Sequence, residues 1–329
     1  MKKFLNTQLL EKNKGHAAET VNERADVAIL MCTYNGAAYL REQLESFESQ
    51  SLRSWTLYVS DDSSTDETRS ILNEYQRRWG ERKLLMFEGP CQGFAKNFVS
   101  LLKRPEVQAR YYAFSDQDDV WFSDKLERSV RHLDATAEHT PALYCSRTRL
   151  INANGSIIGF SPLFSRPPSF RNALVQSLAG ANTMLVNDAA RDLLMGVPGD
   201  ATVVAHDWLT YLIVTACGGT AVYDAEPTLD YRQHGGNLIG ANASFTDRIT
   251  RIRKMLSGRF VEWNDANLHI LSVIESQMTL MNKKTLSDYK NARNLGPWGR
   301  MRGIHVAGLY RQTFEGNASL VLAACLGRL

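Results

Sequence analysis

The chain has 329 residues, of which 44% are hydrophobic and 22% are charged, and this composition excludes an intrinsically disordered protein. The length allows one large folded domain or slightly more. The net charge of +3 is unevenly distributed, because the segment from Arg248 to the C-terminus carries 13 basic and 5 acidic residues. This segment predicts contact with an anionic partner, a membrane surface or a nucleic acid, or alternatively a solvated helical face.

The first 24 residues are polar and predict a loosely attached leader. They contain no apolar run long enough for a signal peptide, and no stretch of the chain reaches the roughly 18–20 apolar residues that span a bilayer. The five cysteines are scattered and lack CxxC spacing, so neither a zinc site nor a disulfide framework is expected. These features predict a cytosolic protein that is soluble or peripherally attached to a membrane.

From Asp26 onwards, apolar runs alternate with segments of helical periodicity. The runs DVAILMCTYNG, WTLYVSDD, KLLMFEG and YYAFSD predict four buried strands. Ser64 and Glu67 predict a capping box for the helix that follows the second strand. This alternation predicts an α/β fold with a largely parallel sheet.

Polar residues stand at the ends of three of these strands. Ligands bind outside the carboxyl ends of the strands in such sheets, so a binding edge is predicted there. The residues that share this position are Thr33, Tyr34 and Asn35, then Asp61 and Asp62, then Asp116, Asp118 and Asp119.

The second half of the chain is less regular. A hairpin is predicted around Asn154-Gly155, and HDWLTYLIVTACGG predicts a buried helix. TAVYDAEPTLDYRQHGGN predicts one strand that leads into a loop rich in Gly and His. After Thr246 the pattern is helical and basic, and DRITRIRKMLSGRFVEW predicts an amphipathic helix that binds a membrane surface or packs on the rest of the protein.

The three aspartates of the sequence DQDD repel one another unless positive charge lies among them. An EF-hand calcium loop is excluded, because Trp121 stands where that loop needs a glycine. Aspartates at a strand end can also cap the next helix, as predicted for Asp124. For the cluster as a whole, Mg²⁺ or Mn²⁺ shared with substrate phosphates is favoured, because the chain has no glycine-rich phosphate loop.

The segments VAILMCTYNG, VSDDSSTDET, GFAKNF, FSDQDDVW, HDWL and YRQHGGN occur in an order that resembles glycosyltransferase family 2, which has the GT-A fold. Within this family they are similar to bacterial rhamnosyltransferase-type enzymes of surface polysaccharide assembly. The resemblance covers about Asp26 to Ala241. It implies a Rossmann-like sheet with helices on both faces, a nucleotide-diphosphate-sugar donor, Mn²⁺ or Mg²⁺, and inversion at the anomeric carbon.

The resemblance also implies an organisation of the chain and roles for individual residues. After the leader 1–24, the GT-A domain spans 25–245, with 25–122 binding the nucleotide sugar and 123–245 the acceptor, and a basic helical region spans 246–329. Metal ligands are expected at Asp118, Asp116 and His234. Nucleotide-sugar contacts are expected at Thr33, Tyr34, Asn35, Asp61, Asp62, Lys96, Asn97, Asp116 and Arg232. One of the two aspartates at the second strand end is expected to accept the N3–H of a pyrimidine base.

An inverting transfer needs a general base within hydrogen-bond reach of the acceptor hydroxyl, and Asp207 is the candidate. The alternative for Asp207 is a helix cap without chemistry. Trp208 is predicted to stack on an acceptor sugar or to lie in the core. Asn182 and Thr183 are predicted to shape the acceptor pocket, although small residues after a glycine also begin buried strands.

The sequence therefore predicts a metal-dependent, inverting glycosyltransferase that moves one sugar from dTDP-rhamnose or a UDP-hexose. The QxxRW signature of processive synthases is absent, which favours a single addition. The acceptor is expected to be a lipid-linked glycan, reached from the inner face of the cytoplasmic membrane, and no nucleic acid is expected as a partner. The alternatives are an inactive carbohydrate-binding scaffold and a sugar nucleotidyltransferase, and the latter is disfavoured because no basic glycine-rich loop precedes Thr33.

Overall fold

The computed structural model of the protein describes residues 25–137, 139–234 and 259–329. Its strands are β1 (Ala25–Thr33), β2 (Trp55–Asp61), β3 (Leu84–Glu88), β4 (Ala109–Ser115), β5 (Val120–Trp121), β6 (Ala142–Ser146), β7 (Arg149–Asn152), β8 (Ile157–Phe160), β9 (Leu185–Asn187), β10 (Thr220–Asp224) and β11 (Leu229–Gln233). Its α-helices are α1 (Leu40–Glu48), α2 (Thr68–Trp79), α3 (Phe94–Leu102), α4 (Lys125–Asp134), α5 (Phe170–Ala173), α6 (Asp188–Met195), α7 (His206–Ala216), α8 (Arg259–Val273), α9 (Leu280–Arg293), α10 (Pro297–Val306) and α11 (Phe314–Leu326).

The central sheet has seven strands in the order β10-β6-β9-β4-β1-β2-β3. β1 pairs in parallel with β2 and with β4, whereas β9 is antiparallel to both of its neighbours. The predicted α/β fold with a largely parallel sheet is confirmed, and the four strands predicted in the first half are β1 to β4.

Alternate residues of β1 belong to two hydrophobic cores, one on each face of the sheet. Ala28 and Leu30 pack with residues of α3, α6 and α7, whereas Ile29 and Met31 pack with residues of α1 and α2. All four side chains are fully buried. A strand that helices cover on both faces needs an unbroken apolar sequence, which explains why VAILM shows no alternation.

A second sheet contains four strands in the order β5-β11-β7-β8. The predicted hairpin is confirmed as β7 and β8, with Gly155 at a φ of 80° in its turn. The single strand predicted over TAVYDAEPTLDYRQ is wrong, because the segment forms β10 in the large sheet and β11 in the small one. Pro227, which has no backbone N–H, lies in the connection, and Arg128 holds that connection by donating to the carbonyls of Glu226 and Pro227.

Two predicted helix caps differ from the structure. The Ser64–Glu67 capping box is wrong, because α2 begins at Thr68 and its first N–H bonds to Asp66 Oδ1 at 3.0 Å. Ser64 instead donates its hydroxyl to Asp61 at 2.6 Å. Asp124 occupies the N-cap position of α4, but its side chain makes no capping hydrogen bond.

Residues 259–329 form the four helices α8 to α11, in agreement with the helical pattern predicted there. Leu271, Ile274 and Leu286 belong to the same core as α7, and Asn282 Nδ2 donates to the Thr215 carbonyl at the end of α7 at 2.9 Å. Within the described ranges, no helix is both long and apolar enough to cross a bilayer. The predicted amphipathic stretch lies outside the described residues up to position 258, and its last five residues begin α8.

Candidate active site

The carboxyl ends of β1, β2 and β4 meet at one edge of the central sheet, as the sequence predicts. The register places Thr33 opposite Asp61, and the Thr33 hydroxyl donates to Asp61 Oδ1 at 2.7 Å. β4 lies on the other side of β1, with Ser115 opposite Met31, so the DQDD turn begins beside the same edge. Parallel pairing therefore brings together polar side chains that are up to about eighty residues apart in the sequence.

The two aspartates after β2 have different environments. Asp61 is buried and accepts hydrogen bonds from Thr33, from the Ser64 hydroxyl and from the Ser64 N–H, and its Oδ2 lies 3.4 Å from Arg69 Nε. Its two oxygens are thus engaged by the protein itself. Asp62 is only partly buried, and its Oδ1 accepts from the Cys91 N–H at 2.8 Å.

Asp62 and Asn97 face each other across Gly89. A Cβ atom at Gly89 would overlap Asp62 Oδ1 and would come within 3.1 Å of both terminal atoms of the Asn97 amide. Asn97 is buried and donates to the Ser60 carbonyl at 3.2 Å, while its Oδ1 has no hydrogen-bond partner within the described ranges. This unpaired acceptor is unusual for a buried polar atom, and it lies on the side of Gly89 that also faces Asp62. Lys96, one residue earlier, is partly exposed and donates to Gln92 at 3.2 Å.

Gln117 connects the DQDD turn to the loop after β1, a contact that the sequence did not predict. Its amide accepts from the Tyr34 N–H at 2.9 Å and donates to the Tyr34 carbonyl at 3.0 Å. A Cβ at Gly36 would overlap this amide, so Gly36 permits the contact. Asn35 adopts a φ of 48° and accepts from the Thr65 N–H, which joins the loop to the segment after β2. The side chain of Tyr34 remains exposed.

Asp118 and His234 lie in direct contact, with Nε2 of the histidine 2.7 Å from Oδ2 of the aspartate. Their side chains are 17% and 20% exposed, so both are accessible from one side. The His234 ring also packs on Tyr39, with ring centroids 4.9 Å apart. The structure therefore brings together two of the three predicted metal ligands, which are 116 residues apart in the sequence.

Asp116, the third predicted ligand, has two other carboxylates nearby, those of Asp118 and Asp207. Burial, together with these two carboxylates, raises the pKa of Asp116 to about 7. The described residues contain no group of three His, Cys, Asp or Glu side chains arranged to hold a metal ion. The carboxylates of Asp118 and Asp116 nevertheless offer the oxygen ligands of a cation such as Mg²⁺, which takes its remaining oxygens from water and substrate phosphates, and His234 adjoins them.

Arg232, which is predicted to contact the donor diphosphate, is a buried side chain. It is 1% exposed, and its guanidinium donates to the Asp118 carbonyl at 3.0 Å, to Glu42 Oε2 at 2.6 Å and to the Ala153 carbonyl at 3.2 Å. Its plane also lies over the Tyr39 ring. These protein groups engage the guanidinium of Arg232, and its predicted contact with the donor diphosphate stays a prediction. Arg232 holds the backbone of Asp118 in place.

Asp119 and Asn182 form a buried pair behind the turn. Asn182 Nδ2 donates to Asp119 Oδ2 at 2.6 Å, and the Arg232 N–H bonds to Asp119 Oδ1 at 3.3 Å. Thr183 is also buried and donates its hydroxyl to the Gly180 carbonyl. This burial favours the alternative of a buried strand entry for Asn182 and Thr183, and their acceptor-binding roles stay predictions.

Asp207 lies in the first turn of α7 and is partly exposed. Its carboxylate accepts from the Trp208 N–H at 2.6 Å and from the Ser177 hydroxyl at 3.3 Å. Burial raises the pKa of Asp207 to about 6, although these hydrogen bonds oppose the shift. A carboxylate of this kind is ionised at neutral pH and remains a stronger base than an ordinary aspartate.

The two neighbours of Asp207 belong to the core. Trp208 is 6% exposed, and its indole N–H donates to the Ala173 carbonyl at 2.6 Å. Stacking of Trp208 on an acceptor sugar is therefore contradicted, and the core alternative is correct. His206 stacks on Phe98 at a centroid distance of 4.0 Å, and burial lowers the pKa of His206 to about 3, so its ring is neutral.

The chain matches the family model described as Glycosyl transferase family 2 over residues 28–179. It is 29% identical over 234 residues to the dTDP-rhamnosyl transferase RfbG of Shigella flexneri, a match that covers 68% of this chain and 78% of RfbG. It is also 29% identical over 133 residues to WfgD of Escherichia coli, named UDP-Glc:alpha-D-GlcNAc-diphosphoundecaprenol beta-1,3-glucosyltransferase. That match covers 40% of this chain and 49% of WfgD.

Solved structures share the fold. Residues 1–349 of Staphylococcus aureus TarS in complex with UDP-GlcNAc match with a TM-score of 0.52 and 14% identity, over 92% of this chain and 90% of that one. GalNAc-T7 with UDP, GalNAc and Mn²⁺ matches with a TM-score of 0.51 and 9% identity, over 87% of this chain and 55% of that one. The chain has the GT-A fold, and its residues 28–179 match glycosyltransferase family 2.

Proposed function

We propose that the protein transfers one sugar, with inversion, from a nucleotide-diphosphate sugar to a hydroxyl group of a glycan acceptor in bacterial surface polysaccharide assembly. The observation that carries this proposal is the convergence of Asp116, Asp118, His234 and Asp207 beside the carboxyl edge of the sheet. The first three residues supply a site for a divalent cation, and the fourth supplies a base. Similarity to RfbG and WfgD supports the assignment to polysaccharide synthesis.

Asp118 and His234, with Asp116 beside them, would hold Mn²⁺ or Mg²⁺ together with the donor diphosphate. The cation supplies neutralisation of the charge that develops on the departing nucleoside diphosphate. Arg232 holds the backbone of this site in place, because its guanidinium donates to the Asp118 carbonyl and pairs with Glu42. Gln117 fixes the other side of the turn against Tyr34.

The donor nucleotide is assigned to the pocket formed by Asp62, Gly89 and Asn97. Asp62 keeps Oδ2 available to accept the N3–H of uracil or thymine, whereas both oxygens of Asp61 are engaged within the protein. The names of RfbG, WfgD and the TarS complex contain sugars linked to dTDP or UDP, which are pyrimidine nucleotides. They support a dTDP- or UDP-sugar, and the proposed donor is dTDP-rhamnose or a UDP-hexose. Thr33, Tyr34 and Asn35 shape this pocket, and Lys96 lies one residue before Asn97 on α3.

Replacing Asp62 with Asn is expected to raise the Kd of UDP and dTDP by about tenfold, because the N3–H then donates to a neutral amide oxygen instead of a charged carboxylate. Calorimetric titration of the purified protein measures this change. The matched control is Glu67→Gln, which removes the charge of an exposed side chain near the same segment and should leave the Kd unchanged. Equal affinity of Asp62→Asn and the unmodified protein for both nucleotides would contradict the assignment.

Asp207 is proposed as the general base that takes the proton of the acceptor hydroxyl. Its pKa of about 6 implies that the active, ionised form is lost as the pH falls below 6. We expect kcat/KM for the acceptor to fall about tenfold per pH unit below that point, in assays with saturating metal and donor. A profile that stays flat from pH 7 to pH 4.5, in a protein that still binds nucleotide, would contradict this role.

The acceptor is proposed to be a lipid-linked glycan at the inner face of the cytoplasmic membrane, where the protein is peripherally attached through its basic C-terminal region. The diphosphoundecaprenol acceptor in the name of WfgD supports this assignment, as does the charge of +8 from Arg248 onwards. Division of the chain into a leader, a catalytic domain over 25–245 and a basic region over 246–329 belongs to the same proposal.

The test is incubation of the full chain with UDP-, dTDP- and GDP-sugars, Mn²⁺ or Mg²⁺, and a bacterial lipid extract, with release of nucleoside diphosphate as the readout. Release that depends on metal and on the lipid extract, with a pyrimidine donor only, is the expected result. Binding of the sugar nucleotides without turnover would favour an inactive scaffold and overturn the proposal. Pyrophosphate formation from a sugar 1-phosphate and a nucleoside triphosphate would favour a nucleotidyltransferase.

A further inference from the structure

Helices α10 and α11 form an antiparallel pair. Arg300, early in α10, donates through Nε to the Ala324 carbonyl, late in α11, at 2.6 Å. Met301 and Cys325 bring their sulfur atoms to 3.2 Å at the same end of the pair. The short connection from residue 307 to 313 closes the other end. Early residues of α10 therefore lie beside late residues of α11.

This pair presents an exposed apolar surface, called here the hairpin face. Phe314 is 87% exposed, Trp298 82% and Val306 63%. The apolar side chains that form the hairpin face are Trp298, Val306, Phe314, Val321, Leu322 and Leu326. They occur at both ends of the pair. Trp298 and Leu326 lie at the end that contains Met301 and Cys325, and Val306 and Phe314 lie beside the connection.

The sequence of α11 explains why this surface is apolar. Its exposed positions 314, 318, 321, 322 and 326 recur with helical spacing, so they lie on one side, while Leu320, Ala323 and Ala324 are buried on the other. Glu315 is its only charged residue. A helix that is apolar on both sides is typical of a helix covered on both sides, yet the described protein covers only one side of α11.

The charged residues around the hairpin face are mostly basic, although the exposed Glu315 follows Phe314 directly. Residues 297–329 contain four arginines and one acidic residue, Glu315, which gives this segment a net charge of +3. Arg302 is exposed one turn after Trp298 on α10, and Arg328 is exposed after the end of α11. Exposed tryptophan next to arginine is typical of the boundary between lipid headgroups and acyl chains, where basic side chains contact anionic lipids.

We propose that the hairpin face is the surface through which the protein contacts an anionic lipid membrane. This inference rests on the proposed function, because it names the part of the basic region that meets the membrane carrying the acceptor. α11 has 13 residues and spans about 20 Å, too short to cross a bilayer, so it lies in the plane of the headgroups with Phe314, Leu322 and Leu326 facing the acyl chains.

A second copy of the chain is a poorer occupant of the hairpin face. Self-association through it would bring two surfaces of net positive charge together, and like charges oppose such a contact. An anionic lipid surface instead buries the apolar side chains among acyl chains and pairs the arginines with anionic headgroups.

Sedimentation of the full chain with vesicles tests this proposal without donor or acceptor. The wild-type protein should sediment with phosphatidylglycerol-rich vesicles and much less with pure phosphatidylcholine vesicles. The double variant Trp298→Ser/Phe314→Ser should lower the partition coefficient on the anionic vesicles at least tenfold. Its matched control is Ile158→Ser/Leu163→Ser, which removes two exposed apolar side chains elsewhere and should bind as the wild type does.

Two further readouts make each outcome decisive. Circular dichroism and nucleoside diphosphate release with a water-soluble acceptor should be unchanged in the double variant, so a failure of vesicle binding is separable from a failure of the proposed catalytic function. Wild-type protein that does not sediment with anionic vesicles, or a double variant that binds them fully, would overturn the proposal. Sedimentation velocity that shows a wild-type dimer and a monomeric double variant would assign the hairpin face to a second copy instead.

Discussion

Replacing Asp207 with Asn should lower the rate of sugar transfer by about 10²–10⁴-fold, because the amide cannot take the proton of the acceptor hydroxyl. The substitution keeps the shape of the side chain: the amide oxygen can still accept from the Trp208 N–H, and the amide NH₂ can donate to the Ser177 hydroxyl. The Kd of the donor nucleotide should remain within about twofold, since Asp207 lies on α7 and the proposed nucleotide pocket lies at Asp62 and Asn97. Steady-state kinetics and nucleotide titration on the same preparation separate these two effects.

The same variant should be more stable than the wild type at neutral pH in the absence of metal. Burial raises the pKa of Asp207 above its usual value of 3.8 to about 6, so the folded state binds this proton more tightly than the unfolded state. The stability that depends on the protonated form is present below pH 3.8 and is lost as the pH rises through 6. Removing the charge should therefore raise the melting temperature, and the gain should be larger at pH 8 than at pH 5.

Asp192→Asn is the matched control, because Asp192 is an exposed carboxylate on α6. It should change neither the transfer rate nor the pH dependence of the melting temperature. An Asp207→Asn protein that retains wild-type transfer would exclude Asp207 as the base. An unchanged melting temperature at pH 8, combined with lost activity, would contradict the raised pKa but not the catalytic role.

Replacing Asp118 with Ala should lower transfer by about 10³-fold or more, because the carboxylate that contacts His234 is lost and the cation loses a ligand. The affinity for Mn²⁺ in the presence of UDP or dTDP should fall at least tenfold, which titration followed by electron paramagnetic resonance of free Mn²⁺ measures directly. The fold should persist, because the Asp118 side chain is partly exposed and the Asp118 carbonyl remains available to Arg232.

Asp200→Ala is the control for this prediction, since it removes an exposed aspartate remote from the turn in the sequence. His234→Ala should resemble Asp118→Ala in metal affinity, because the two side chains contact each other. Wild-type Mn²⁺ affinity in both variants would show that the cation, if one binds, is held elsewhere. That result would remove the basis of the proposed metal site.

The parts of the fold that were predictable from sequence depend on local patterns. Each of β1 to β4 is an apolar run followed by polar residues, and the helices between them show apolar residues at helical spacing. Parallel strands joined by helices place their carboxyl ends at one edge, so the positions of Thr33, Asp61 and Asp116 followed from the order of elements alone. The contact of Asp118 with His234 was implied only by resemblance to the family.

The parts that were not predictable depend on pairing between distant segments. Arg232 is 190 residues from Glu42 in the sequence, and only the small sheet places its guanidinium behind Asp118. Because a cationic side chain near aspartates suggests phosphate binding, the sequence indicated a contact of Arg232 with the diphosphate. It did not indicate a buried guanidinium that donates to the Asp118 carbonyl and to Glu42. Trp208 was misassigned for a similar reason, since its burial depends on α5 and Phe260, which lie outside its own helix.

Gln117 shows that a polar residue inside a conspicuous motif can be overlooked. The carboxylates of DQDD attract attention because of their charge, whereas Gln117 makes two hydrogen bonds to the backbone of Tyr34, 83 residues away. Gly36 was a usable signal, because a glycine directly after the first strand end permits close approach of another segment.

The mass of the acceptor after reaction tests the central claim most directly. The full chain is incubated with its preferred pyrimidine nucleotide sugar, Mn²⁺ and a lipid-linked glycan extracted from bacterial membranes, and the acceptor is analysed by mass spectrometry and proton NMR. The account predicts a gain of one sugar, with an anomeric configuration opposite to that of the donor. An acceptor of unchanged mass in a reaction that consumes the donor, or one extended by many sugars, would contradict it.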